Sequence, residues 1–248
     1  MLLKLTILKL SEKVRAYVEE VEKETGYTVL IENYQGKAAR VTLDRERKYI
    51  HVEINEEEHI KDLGKGSEEE LEEEIDHTIA HEVTHEFLSL KKKYCRVRCG
   101  SKVRKTVEIL VTMIEDIVVN KIIQEKNYRP YSTKYLDDIK LDIEDIRKGR
   151  VFCYEMHNDD PIYKFMVFRY ILAWGFLKYL NLGEIDKKTI HKLLKIFQKS
   201  CPKQYAEAKK IKEIILENDI FTPEGYNNTI KKCLDLWNLT NLVEINTC

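Results

Sequence analysis

The stretch Thr78-Ile79-Ala80-His81-Glu82-Val83-Thr84-His85-Glu86-Phe87-Leu88 holds the pattern H-E-x-x-H inside a helical periodicity. Residues four apart on an α-helix lie one turn apart on one face, so the imidazoles of His81 and His85 can reach a single tetrahedral metal ion. Glu82 leaves the helix beside that ion, where it can take a proton from a metal-bound water and so generate a hydroxide near neutral pH. Ile75, Ile79, Val83 and Phe87 form a packing stripe next to the histidines rather than in place of them. Upstream, Ser67 with Glu70 reads as a capping box, and the acidic run Glu68–Glu74 suits the first turns of a helix that is expected to reach about Lys93. His77, one turn before His81, could support the ligands from behind or add a ligand, and reads first as a surface residue.

Working outward, the elements before this helix alternate in type. Ser11 is a plausible N-cap, and Val14, Val18 and Val21 give a helical stripe that ends at Gly26. Three runs rich in β-branched and aromatic residues follow, Tyr27–Tyr34, Ala39–Asp44 and Tyr49–Asn55. Gln35-Gly36 and the charged Arg45–Lys48 supply their turns, which predicts a small, mostly antiparallel sheet. Glu56–Gly66 reads as a polar loop. After the site helix, Cys99-Gly100 breaks the chain and a second helix is expected over about Lys102–Lys126. Helical patterns then cover about 133–148, 160–181, 187–199, 203–218 and 223–239, punctuated by Pro161, Gly183, Pro202 and Pro223. The expected fold class is α+β, with a domain over 1–127 and an all-helical part over 128–248. The aromatic helix Tyr163–Tyr179 would form the core of that second part.

Two histidines make an incomplete zinc site, so a third protein ligand is expected. In Lys105–Ile123 an apolar helix is interrupted by Glu115 and Asp116, and a carboxylate in such surroundings is costly unless paired, hydrogen-bonded or bound to a cation. Either residue of the pair could be the ligand. Asn120, one turn beyond, could hydrogen-bond Asp116, and Glu108 lies on nearly the stripe of Glu115.

The order of helix, small sheet, H-E-x-x-H helix and acidic helix resembles the zincin metallopeptidases, most of all the minimal gluzincins sometimes called minigluzincins. The resemblance covers roughly residues 1–127. It implies a first helix that backs the sheet, a last strand that forms an edge aligning extended substrate, His81 and His85 as zinc ligands, Glu82 as general base and Glu115 as third ligand. The sequence departs from the gluzincin pattern where Val119 stands four residues after Glu115 in place of an aspartate. Asp116 and Asn120 have the right spacing with the chemistry shifted, as in zincins with an aspartate ligand. The metzincin continuation after His85 is absent.

The 248-residue chain carries 42 basic and 43 acidic residues, a balance that offers no whole-chain case for nucleic-acid binding but leaves room for local patches. A charged fraction of 34% with four prolines and few glutamines leans towards a heat-adapted source. The apolar start is interrupted by Lys4 and Lys9 with no cleavage-type sequence after it, and no segment is apolar enough to span a membrane, so a cytoplasmic protein is expected. Cys95, Cys99, Cys153, Cys201, Cys233 and Cys248 form no C-x-x-C pair, and disulfides among them are admissible in a hyperthermophile; Cys95 and Cys99, four apart, could pair or bind a second metal, with independent core thiols as the default reading. Tyr154 and His157 are candidate oxyanion donors. The function expected from all of this is zinc-dependent hydrolysis of peptide or protein substrates. The rivals are a metal-binding regulatory protein with little turnover and a helical scaffold whose histidines are incidental.

Overall fold

The computed structural model describes residues 10–36, 39–63, 67–91, 94–150 and 161–246. Contacts divide the chain into two compact units, Met1–Lys92 with Ile122–Tyr135, and Lys93–Lys121 with Leu136–Cys248.

The first unit opens with α1 (Glu12–Thr25). The Ser11 hydroxyl accepts from the Val14 N–H, and Gly26, at a φ of 73° that an L side chain adopts only with strain, closes the helix by donating to the Glu22 carbonyl. Three strands follow, β1 (Thr28–Asn33), β2 (Arg40–Asp44) and β3 (Tyr49–Ile54), in the spatial order β1-β3-β2. β2 and β3 form an antiparallel hairpin, and the Asp44 carboxylate accepts from the Glu46 and Arg47 N–H groups in its turn. β1 runs parallel to β3. The sheet is therefore mixed rather than mostly antiparallel, and β3, the last strand in chain order, lies in its centre instead of at an edge. The strand segments themselves fall where the β-branched runs predict. What the local pattern does not specify is pairing order, because the tight turn at Arg45–Lys48 fixes only β2 against β3.

Glu56–Leu63, read from sequence as a loop, is the helix α2. Asn55 supplies its start, accepting from the Glu58 N–H at 3.2 Å, and three glutamates occupy its first turn. α3 (Glu68–Lys91) begins with the expected capping box: the Ser67 N–H donates to the Glu70 carboxylate at 2.8 Å and the Glu70 N–H to the Ser67 hydroxyl at 3.2 Å. Val14, Val18 and Val21 of α1 share one core with Val29, Ile50, Val52 and Ile54 of the sheet and Ile75, Ile79, Val83 and Phe87 of α3. That core fixes which face of α3 looks inward.

The second unit holds most of α4 (Arg104–Glu125), α6 (Pro161–Tyr179), α7 (Glu184–Ser200), α8 (Pro202–Glu217) and α9 (Pro223–Leu236), with α5 (Thr133–Arg147) beginning in the first unit. Gly175 of α6 lies so close to Ile117 of α4 that a Cβ there would meet the isoleucine side chain at 2.3 Å. Two short strands, β4 (Arg96–Cys99) and β5 (Val243–Asn246), pair antiparallel, so the C-terminal part is not wholly helical. Strands of four residues give too short an alternation to stand out against helical neighbours. Among the described residues no helix is long and apolar enough to cross a membrane.

Candidate metal centre

On α3 the spacing of the histidines and the burial of the valine-isoleucine stripe together leave His81 and His85 half-buried on an adjoining face. Their Nε2 atoms lie 3.0 Å apart, and the rings meet edge to face with centroids 4.7 Å apart. Two neutral imidazoles presenting lone pairs at that distance repel each other unless a proton or a cation sits between them. Bonds of about 2.0–2.1 Å from one zinc ion would span a nitrogen separation of about this size. Glu82, between them in sequence, is also half-buried.

His77 is buried rather than at the surface, which overturns the sequence reading. Its Nδ1 pairs with the Arg129 carbonyl at 2.9 Å, a contact that a neutral ring makes as a donor. Burial, and secondarily the neighbouring His81, hold its pKa down to about 3. The ring stands 5.7 Å from that of His81. A turn earlier, the buried Glu74 carboxylate accepts from the Arg129 guanidinium at 3.2 Å, the Thr133 N–H at 2.9 Å and the Thr133 hydroxyl at 3.0 Å. Asp76 accepts from the Ser11 hydroxyl at 2.6 Å. Thr84, between the two histidines, pairs with the Tyr17 phenol at 2.7 Å. None of these partners is predictable from spacing, since each comes from a segment distant in the chain.

The ligand atoms of His81, His85 and Asp116 all lie within 4.8 Å of one another, a group that could hold a metal ion. Glu115 is not in that group. Its charge is felt by Tyr94, Cys95 and Tyr226, all buried in the second unit, and Asp116 adds a smaller effect on Tyr226. Burial first and Glu115 second push the Cys95 thiol up to about 11, and the same two causes raise the Tyr226 phenol well above its ordinary value. Tyr94 rises to about 12 through burial, then Asp219 and Glu115. The Tyr94 and Tyr226 rings stand 4.6 Å apart. Asn120 does donate to Asp116, at 2.7 Å, but to its carbonyl rather than its carboxylate. Glu108 is exposed.

Two imidazoles and one carboxylate are the donor types that zinc takes in open, three-ligand sites. The set therefore fits zinc in chemistry. It also matches the two-histidine, one-carboxylate set that holds iron(II). The thiols of Cys95, Cys99 and Cys233 are free and belong to no metal-binding group among the described residues. Cys201 is disulfide-bonded. Tyr154 and His157 lie outside the described residues. Comparison with family models, with curated proteins and with solved structures found no match to this chain.

Proposed function

We propose that the chain is a zinc-dependent peptidase of the zincin kind, with His81, His85 and Asp116 as the metal ligands and Glu82 as general base. The observation that carries this reading is the convergence of those three side chains, with Glu82 next to His81 in the sequence. The order of a capped helix, a small sheet and the H-E-x-x-H helix over one shared core supports it further.

Zinc in that ligand set would supply Lewis acidity, polarising the carbonyl of a scissile amide. Asp116 brings one negative charge to the set, and the two imidazoles bring none. Glu82 follows His81 directly, so its side chain leaves the helix about 100° away and stays clear of the ligand positions. Its carboxylate takes a proton from the attacking water as the new C–O bond forms. When the C–N bond breaks, the protonated Glu82 gives that proton to the departing nitrogen, leaving a carboxylate and an amine as products. A group that only moves protons should be dispensable for holding the metal.

Elemental analysis of the protein after dialysis against a weak chelator should find about one zinc per chain. Glu82→Gln should keep that zinc and the parent melting temperature while cleavage of an unfolded protein or peptide library falls by at least ~10²-fold. Iron in place of zinc, or less than about a tenth of an equivalent of any metal, would reject the assignment. Zinc without cleavage by any form would favour the regulatory reading.

A further inference from the structure

We infer that the second unit carries a docking site for an extended acidic polypeptide segment, built from the open edge of β4 and the hollow it shares with α4. This does not rest on the metal centre. Between Lys91 and Lys105 the sequence has eight basic residues and no acidic one, although the whole chain is balanced at a net charge of −1. Arg98, Lys102, Arg104 and Lys105 are exposed, and none makes an ion pair among the described residues. Exposed cations gathered within ten positions give this surface a local positive field that the total charge conceals.

The hollow beside them has a volume of about 460 Å³. Val97 and Cys99 of β4 and Val107 and Val111 of α4 make its apolar lining, while Arg98 and Arg104 provide cationic groups and Glu108 one carboxylate. β4 pairs with β5 alone among the described residues, so the backbone groups on its other side meet no strand. An edge of this kind is a template for strand addition: backbone hydrogen bonds give affinity and side-chain pockets give selectivity. Alternation of side chains along an added strand would let an aliphatic residue enter the valine-lined hollow while the next residue faces the arginines.

Charge and shape together select the occupant. The exposed Arg98, Lys102, Arg104 and Lys105 outnumber the two carboxylates near them among the described residues, Glu108 in the hollow and Glu244 opposite Arg98, so the occupant is anionic. No aromatic ring lines the hollow, which leaves nothing for a nucleic-acid base to stack on. Aliphatic lining and an open strand edge suit a peptide in which acidic and aliphatic residues alternate.

The test uses the full chain carrying Glu82→Gln, so that the probe survives whichever way the metal reading falls. Fluorescence anisotropy would compare a labelled Val-Glu repeat peptide, the matching Val-Lys peptide and a labelled single-stranded oligonucleotide of the same net charge as the first. The Val-Glu peptide should bind alone among the three, more weakly as salt rises. The double change Arg98→Glu with Arg104→Glu should weaken it at least about tenfold. Val111→Trp, which fills the hollow without touching charge, should weaken it by a similar factor at an unchanged melting temperature. The inference is overturned if the Val-Glu peptide does not bind, if the Val-Lys peptide binds equally, if either variant binds like the parent, or if the oligonucleotide binds more tightly through the same arginines.

Discussion

Two sets of polar side chains share α3, and they are closed in different ways. Glu74, Asp76, His77 and Thr84 each meet a group from elsewhere in the first unit: Arg129 and Thr133, Ser11, the Arg129 carbonyl, and Tyr17. His81 and His85 meet each other, nitrogen to nitrogen at 3.0 Å. Buried polar groups that end on protein partners hold a fold in one arrangement, since leaving either side unpaired costs the full desolvation of that group. Ring nitrogens of one helix brought this close make, when both present lone pairs, a place that a cation can fill. The difference separates scaffold from site on the same 24-residue helix.

Substitutions should break the two sets differently. The largest contrast is expected from His81→Ala against Glu74→Ala. The first should abolish stoichiometric zinc binding while the metal-free protein melts close to the parent. The second removes the carboxylate from the Arg129 guanidinium, which keeps the Thr133 hydroxyl, and leaves the Thr133 N–H without its acceptor, and should cost about 2–4 kcal/mol of stability with the zinc stoichiometry kept. Calorimetry and metal analysis on both variants measure it. If His81→Ala destabilises the metal-free protein as much as Glu74→Ala does, the two sets are one and the site reading loses its basis. Within the acidic pair, Asp116→Asn should lose most zinc affinity and Glu115→Gln should keep it. The reverse would restore the assignment that the gluzincin resemblance implies.

A smaller effect separates the sets by pH. In the unfolded chain His77 takes a proton near its ordinary 6.5, but in the fold it does so only near 3. Between those values the unfolded state binds the extra proton, so stability is fully present above about pH 6.5 and drains as pH falls, by up to ~1.4 kcal/mol per pH unit. His77→Gln can still donate to the Arg129 carbonyl but cannot titrate. Urea unfolding of the metal-free protein should show a shallower acid slope for the variant, by up to one proton. An unchanged slope would mean that His77 is not buried as a neutral ring.

How much of this is legible in the sequence depends on how local the cause is. Helix starts at Ser11 and Ser67, the end at Gly26 and the valine and isoleucine stripes are written in short windows, and the structure follows them. Asn55 before three glutamates was a helix start of the same kind, hidden by the polar residues after it. Strand order depends on β1 reaching past β2 to β3, and the ribbon of β4 with β5 joins residues more than a hundred positions apart, pairings that no short window contains. The spacing of His81 and His85 is likewise local. His77 read as a surface residue because the carbonyl that receives it belongs to Arg129, 52 positions on.

The smallest expected effect tests how a scaffold contact sits beside the site without belonging to it. The Thr84 hydroxyl has one proton, and it donates that proton to the Ala80 carbonyl at 2.5 Å. It must therefore accept from the Tyr17 phenol, which burial keeps protonated by raising its pKa to about 12. Tyr17→Phe removes this donor and leaves the Thr84 proton still satisfied, so the loss should be about 1 kcal/mol, the net worth of one hydrogen bond. The ring's other neighbours, the Lys126 ammonium 4.8 Å from its centroid and the Tyr128 ring 6.1 Å away, can face phenylalanine as well. Thr84→Val is the harsher change, because it buries the Tyr17 proton without an acceptor and should cost about 1–3 kcal/mol. The double variant should cost less than the two losses summed, with zinc stoichiometry at the parent value throughout. Additive losses would show that the two hydroxyls do not pair. A loss of zinc in Tyr17→Phe would make this contact part of the metal centre rather than the frame that holds α3 against α1.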